Sequence, residues 1–521
     1  MKKSIIAAAI VSSLIAQLCS AGTMEDAIAA SGRGDYATAL EILRPLADAG
    51  DAQAQLMLGL EYEAGNGVTK DAAEAAKWFR LAALQGNAPA QTMYGLTFVE
   101  STNPNRDFLE AAKWLRMAAT QGDAQGQYLL AKMYLAGQGV ARDIPEAVKW
   151  LKLAATQGNA SAQADLGLVY SKGQGIPADY AEAFKWSRMA AEQGSALGQW
   201  QLGSSYSAGS GVQKDDVEAV KWYRLSAGQG FAQAQSNLGT MYQDGHGVPQ
   251  DYAEAAKWYR SAAEQGIAQA QYNLAQMYRT GSGVKQDTQE AIKWYQLAAA
   301  QGNAGAQSTL GEIYEYGQGV AQDLTQALKW NRLAAGQGNA EAQYNLSEMY
   351  RQGFAVTQDN NEAVKWYRLA AAQDFAPAQT SLCYSYEIGV GVPVDLAESI
   401  RWCRLAAKQG YAGAQYLLAI KLQKAIGTKQ NYPEAAHWYE LAARQGLVEG
   451  QMNLAFMYGL GQGVKQDSVR AMMWLDIGAK SGNQKAIQAQ AASTHLLTQQ
   501  ELAQAEKLAV ACMQRKLNDC D

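Results

Sequence analysis

The sequence predicts an all-α solenoid, a row of helix-turn-helix hairpins stacked one on the next, and three observations predict it. Tryptophan recurs at an unbroken stride of 36 residues: Trp78, Trp114, Trp150, Trp186, Trp222, Trp258, Trp294, Trp330, Trp366, Trp402, Trp438 and Trp474. Within each stride, two segments carry apolar residues at helical spacing. No stretch alternates convincingly as a strand does. A chain of 521 residues would ordinarily split into three or four domains of about 150 residues each. A fixed period indicates one elongated array instead, because such units bury their apolar faces only against their neighbours.

Composition agrees and removes several functional classes. Glycine accounts for 50 residues, which signals many turns of one kind. Only 18% of the chain is charged, below the usual ~25%, so charge-driven disorder is not expected. A net charge of −5 argues against a general nucleic-acid binder. The three histidines, His246, His437 and His495, are too scattered for a metal or acid–base centre.

At the N-terminus, Lys2 and Lys3 precede an apolar run over 5–18 and the small residues Cys19, Ser20 and Ala21. That is the layout of a secretory signal peptide spanning 1–21. The apolar run is shorter than the ~20 residues of a membrane span. Acylation of Cys19 is disfavoured by Leu18, which stands where a lipobox has a small residue. Cleavage would leave a chain of net charge −7 with four cysteines, Cys383, Cys403, Cys512 and Cys520. An even number in an exported chain permits disulfides, in any of three connectivities.

Residues 22–51 read as a shortened N-terminal capping repeat, with Gly34-Asp35-Tyr36 leading into a helix and Ile42 in the tryptophan phase. Twelve repeats then fill 52–483, with Ala52 at position 1 of the first. In the repeat 232–267, the first helix is expected over about 232–243 and the second over about 251–265. The residue at Asp251 is Asp in eleven repeats and Asn431 in the other. Three residues later stands Glu in ten, Gln326 in one and Arg470 in one. This Asp-x-x-Glu pattern predicts a capping box, the Asp accepting from the third helical N–H and the Glu reaching back to the cap's own N–H. These acids are thus caps, not catalysts. Gly266 and its equivalents, replaced once by Asp374, predict left-handed C-terminal caps. The loop Gly245-His246-Gly247 joins helix to helix and lacks the strand that a phosphate-binding fingerprint needs. Residues 484–521 are expected to form a C-terminal capping helix, starting at Thr498 and ending near Lys516, and a tail.

The pattern AxAQxxLGxMYxxGxGVxxDxxEAxKWYRxAAxQG resembles the Sel-1-like repeat family, relatives of the tetratricopeptide repeats, over nearly all of 52–483. The resemblance implies a right-handed superhelix of hairpins. Repeat 88–123 departs from it in its loop, 101–105, and repeat 412–447 at Ala425 and His437. By resemblance to the tails of relatives, Cys512 and Cys520 form a disulfide. Cys383 and Cys403 lie on the two helices of one hairpin, where they either bridge or pack as small apolar side chains. The twelve tryptophans serve as the structural core, each covered by neighbouring hairpins.

By analogy with tetratricopeptides, the exposed side of the first helices, positions 5, 9 and 12, lines a concave groove. The fifth positions include Tyr128, Trp200, Tyr272, Tyr344 and Tyr416, with Lys132, Gln276, Arg279, Glu348 and Arg351 at ninth and twelfth positions beside them. Aromatic residues flanked by Arg are typical protein-binding anchors, although each ring could simply pack on the next helix. The expected function is an exported binding scaffold or adaptor, in the periplasm or secreted, with a protein or peptide partner. By resemblance the role lies in envelope signalling or in binding host proteins such as immunoglobulins. The alternative is an enzyme of the cysteine-rich branch of the family, linked with β-lactam binding and hydrolysis. That branch pairs cysteines in most repeats, whereas here only Cys383 and Cys403 lie inside repeats. A purely structural spacer is a third possibility. No cofactor and no metal ion is expected, since the carboxylates are caps and the cysteines lack ligand spacing.

Overall fold

The computed structural model describes residues 23–99, 106–173, 175–517 and 520. The signal-peptide and Cys19 readings and the loop 101–105 fall outside these residues. Among the described residues there are 28 α-helices, one short 3-10 helix and no strand. The fold is an all-α solenoid of consecutive helical hairpins. Two compact units divide the chain between Gln265 and Gly266. The first holds the helices from Met24–Gly32 to Tyr252–Glu264, and the second those from Ala268–Thr280 to Gln499–Gln514.

One repeat shows why the sequence folds this way. Its first helix, Ala232–Asp244, ends on Gly245, whose φ of 72° is left-handed. The second helix, Tyr252–Glu264, starts at Asp251, whose Oδ1 accepts from the N–H groups of Ala253 (2.9 Å) and Glu254 (3.0 Å). The backbone N–H of Asp251 donates to the carbonyl of Tyr242 at 2.9 Å and so closes the loop. The second loop glycine meets a steric demand. A Cβ on Gly247 would stand 2.1 Å from the carbonyl oxygen of Asp216, in the preceding repeat. The Gly-x-Gly loop is therefore a contact between repeats. Ala425, where the repeat departs from the glycine pattern, keeps the left-handed conformation at φ 59°, and Asp374 does the same at φ 60°.

The capping-box expectation needs correction. Asp caps the second helix, but Glu does not reach back, because the Asp N–H is already bonded to the tyrosine carbonyl. The Glu turns instead to its own helix. Glu110 accepts from Lys113 (2.9 Å) and from the indole of Trp114 (3.0 Å). Glu362 does the same with Lys365 (2.7 Å) and Trp366 (3.1 Å). Complete capping boxes occur at Thr23–Asp26 and Thr498–Glu501, near the ends of the described chain.

The tryptophans also differ from expectation. Trp186 and Trp474 are buried, but the other ten are half-buried. The residue after each tryptophan takes the core instead: Tyr259, Tyr295 and Tyr439 are fully buried and Phe79 is 2% exposed. The indole lies across the seam, as Trp114 does on the Leu56–Phe79–Ala82 cluster of the preceding repeat. An indole N–H needs a partner; Trp114, Trp186, Trp294, Trp366 and Trp438 find it in the Glu four residues earlier, whereas the buried indole N–H groups of Trp78, Trp150 and Trp402 have none.

A second seam bond repeats at position 4. Gln307, 4% exposed, donates from Nε2 to the carbonyl of Ala299 in the preceding repeat (3.0 Å). Its Oε1 accepts from Gln337 of its own second helix (2.7 Å). The same pair of bonds recurs at Gln91, with Ala83 and Gln121. At Gln451 the partner position holds Ser481, and Oε1 has no hydrogen-bond partner.

The sulfurs of Cys383 and Cys403 are bonded. These are positions 8 and 28, where other repeats set a small residue against the core side chain, so this pair replaces packing with a covalent link. Cys512 and Cys520 are also bonded. The final helix, Gln499–Gln514, starts from Thr498 as expected, and a further helix, Gln484–Ser493, precedes it.

Tyr259→Ala should destabilise its hairpin by about 3–5 kcal/mol, and Trp258→Ala, less completely buried, by less. Denaturant unfolding ranks the two, and a larger loss from Trp258 would contradict the core assignment. Gln307→Leu keeps the volume but removes the cross-seam bond to the Ala299 carbonyl, which keeps only the Gly302 N–H, and the bond from the Gln337 amide, which keeps only the Leu333 carbonyl. It should cost about 1 kcal/mol, read as faster amide exchange at that junction.

Candidate functional site

Positions 5, 9 and 12 share one side of the first helix, since their spacings of four and three match the helical turn. In the first unit, Tyr128 is half-buried, and burial, with the Asp165 charge second, pushes its phenol up to about 12. Lys132 forms an ion pair with the same Asp165 at 3.0 Å. Trp200 stands against Phe231, the cap residue of the next first helix, with ring centroids 5.7 Å apart. It also walls a cavity of about 190 Å³.

In the second unit, Tyr272 packs on the buried Tyr295 at 5.9 Å. Its hydroxyl accepts from Gln276 Nε2 (2.9 Å), and Gln276 Oε1 accepts from Arg279 Nε (3.1 Å). Arg279 lies 4.0 Å from Glu312 of the following repeat. Tyr416 packs on Tyr439 at 5.9 Å, and burial raises its phenol.

The densest arrangement surrounds Tyr344, Glu348 and Arg351, which line one cavity of about 610 Å³. Tyr344 lies 5.6 Å from Phe375 and 6.0 Å from Tyr367, and burial pushes its phenol up to about 12. Glu348 anchors the cluster. Its Oε1 accepts from the hydroxyl of Tyr367, and its Oε2 from Arg351 Nη2 (2.5 Å) and Gln352 Nε2 (3.1 Å). Tyr367 is a core residue of the second helix, yet its hydroxyl emerges at this wall. The rest of the lining includes Thr380, Ser381, Tyr384, Ser385, Ile388 and Leu417.

Of the two expectations for the fifth-position rings, exposed anchors or packing on the next helix, the geometry favours packing: all five are half-buried. Each of Trp200, Tyr272, Tyr344 and Tyr416 leans on an aromatic ring of its second helix or of the next cap. More exposed apolar groups lie at position 9, Tyr384 (54%) and Phe456 (46%), and at position 13, Leu460 (67%), Tyr316 (66%) and Ile388 (46%). Tyr384 and Phe456 occupy position 9 and were within reach of the same spacing rule. Two further residues went unnoticed. Lys421 is 1% exposed and pairs with Glu387 of the preceding repeat at 2.6 Å.

Chemically, this face offers rings, hydroxyls and fixed charges of both signs. Among the described residues, no group of three or more His, Cys, Asp or Glu side chains stands where it could hold a metal ion. Burial raises the carboxyl of Glu315, and the like charges of Glu348 and Glu312 add to the effect.

Twelve consecutive segments of the chain, from 52–87 to 448–483, match the Sel1 repeat family. Among solved structures, the chain is similar to c5321, described as a protective antigen present in uropathogenic Escherichia coli strains and displaying an SLR fold. The identity is 35%, with 92% of this chain and 96% of that one covered, at a TM-score of 0.70. A Sel1 repeat protein from Oxalobacter formigenes is also 35% identical, over 58% of this chain and 89% of its own, at a TM-score of 0.47. No curated protein matches the chain.

A carboxyl raised in the folded state stabilises the fold when protonated, and that contribution is lost as pH rises through the folded value. Glu315→Gln should therefore raise stability at neutral pH. The gain should shrink as pH falls through the raised folded value and be gone below the ordinary carboxylate range. Thermal melts of both chains across that range give the sign, and a gain independent of pH would contradict the assignment.

Proposed function

The chain belongs to the Sel1 repeat family, and on that premise we propose that it is an exported scaffold holding a protein or peptide partner against its first-helix face. Sel1 repeat proteins are typically non-enzymatic scaffolds, and the solenoid offers such a surface once per repeat. The observation that carries the reading is the cavity of about 610 Å³. Three side chains singled out by spacing, Tyr344, Glu348 and Arg351, meet there with the exposed Tyr384 and Ile388. Rings and an arginine around a partly desolvated hollow have the composition of binding hot spots. The hydroxyls of Thr380, Ser381 and Ser385 suit a partner's backbone amides.

Export rests on the charged, apolar and small segments of residues 1–21 and on two bonded cysteine pairs, which fit an oxidising compartment. No helix among the described residues is long and apolar enough to cross a membrane. The E. coli relative is described as a protective antigen, which supports a location outside the cytoplasm, periplasmic or secreted. The helices over 24–48 and 484–514 act as end caps of the array.

Affinity capture with the purified chain, followed by mass spectrometry, tests the reading. Tyr384→Ala combined with Ile388→Ala alters two exposed side chains and should leave helicity by circular dichroism unchanged. Retained partner should fall by at least about tenfold. Undiminished capture would remove this face from consideration.

A further inference from the structure

Position 8 of each first helix faces position 28 of its second helix, the residue after tryptophan. In three repeats a glycine there receives an aromatic ring: an added Cβ on Gly59, Gly203 or Gly239 would lie 2.6–2.7 Å from Phe79, Tyr223 or Tyr259. Repeat 160–195 keeps the glycine, Gly167, but holds Ser187 where the ring belongs. Ser187 is the smallest side chain at that position in any of the twelve repeats.

The missing ring leaves space. A mostly apolar cavity of about 190 Å³ stands there, walled by Gly167, Ala183, Ser187, Trp200, Gln201 and Ser204. Its polar edges are tied back. Ser187 Oγ donates to Gln201 Oε1 at 3.1 Å, and Gln201 Nε2 donates to the carbonyl of Ala164 at 3.0 Å. Gln201 is thereby held as a wall and does not fold in as filling. The lining also takes in Leu168 and Ser171, positions 9 and 12 of their repeat, while Trp200 and Ser204 are positions 5 and 9 of the next. The hollow therefore belongs to the first-helix face. An apolar cavity of ~150 Å³ in a protein interior accepts a benzene ring, so this one has room for a phenyl or phenol group.

We propose that this cavity is an acceptor for a single six-membered aromatic ring, carried on a partner's Phe or Tyr side chain or on a free small aromatic. The ring would occupy the place that the repeat's own tyrosine fills elsewhere, against Trp200. This deepens the scaffold reading by naming what one position of the face takes. Its test measures ring binding and not partner capture, so either idea can fail alone.

The experiment titrates p-cresol into the purified full chain by ligand-observed NMR, beside the variants Ser187→Tyr and Ser187→Leu. Each variant restores a side chain that another repeat carries opposite glycine, as Tyr223 faces Gly203 and Leu115 faces Gly95. Circular dichroism verifies their folding, and if the tyrosine variant misfolds, the leucine variant decides. The unmodified chain should bind p-cresol at about millimolar concentration, and the filled variants at least about tenfold more weakly. A blocked Gly-Gly-Tyr-Gly-Gly peptide distinguishes the sources. If it binds no more weakly than p-cresol, the occupant is a partner's side chain; if p-cresol binds alone, it is a free aromatic. No binding by the unmodified chain at about 10 mM, or equal binding by the filled variants, would overturn the proposal.

Discussion

A buried primary amide must find partners for both its ends, or it costs more than it gives. At position 4 that requirement decides where each repeat sits. Gln307 can satisfy its N–H only on the last turn of the previous repeat, at the Ala299 carbonyl, and its oxygen only on Gln337 of its own second helix. Apolar packing is permissive about small shifts, but two hydrogen bonds at 3.0 and 2.7 Å are not. The amide thus sets the register that lets Tyr295 or Tyr367 bury completely and the first helices share one surface.

The charged residues serve the same register from outside. Each Asp holds the start of a second helix while its N–H closes the loop to the first, leaving Glu free to hold Lys and Trp. Nine repeats carry both acids, and these use up a large share of the acidic complement. The unabsorbed charges, such as Glu312, Glu315, Glu348 and Arg351, gather on the first-helix face. Chemistry that differs between repeats is concentrated there, whereas the seams are nearly invariant.

Much of this was legible in the sequence. The tryptophan stride gave the repeat, and Asp, Gly and the Ala-rich stripes gave the helix ends to within a residue or two. The sequence did not reveal which of two adjacent aromatics is buried. Trp258 and Tyr259 lie only about 100° apart on the helix, and size favoured the wrong one. Nor could a capping pattern disclose that the Asp N–H was already engaged. The spacing rule singled out Tyr344, Glu348 and Arg351, which line one cavity, but it left open whether the rings are exposed or packed. It could not register that the next repeat's cap residue, Phe231 or Phe375, leans on them. The hollow beside Ser187 was equally hidden, because an absence shows only against the repeats that fill it.

The uniform seam has a consequence for how such a chain changes over generations. Since Gln91 and Gln307 meet their preceding repeats through the same atoms, repeats that keep this glutamine and its partner are acceptable neighbours for one another. In-frame duplication or loss of one whole repeat would create no new kind of junction. The length of the first-helix face is therefore open to inheritance by recombination, while individual side chains along it drift independently.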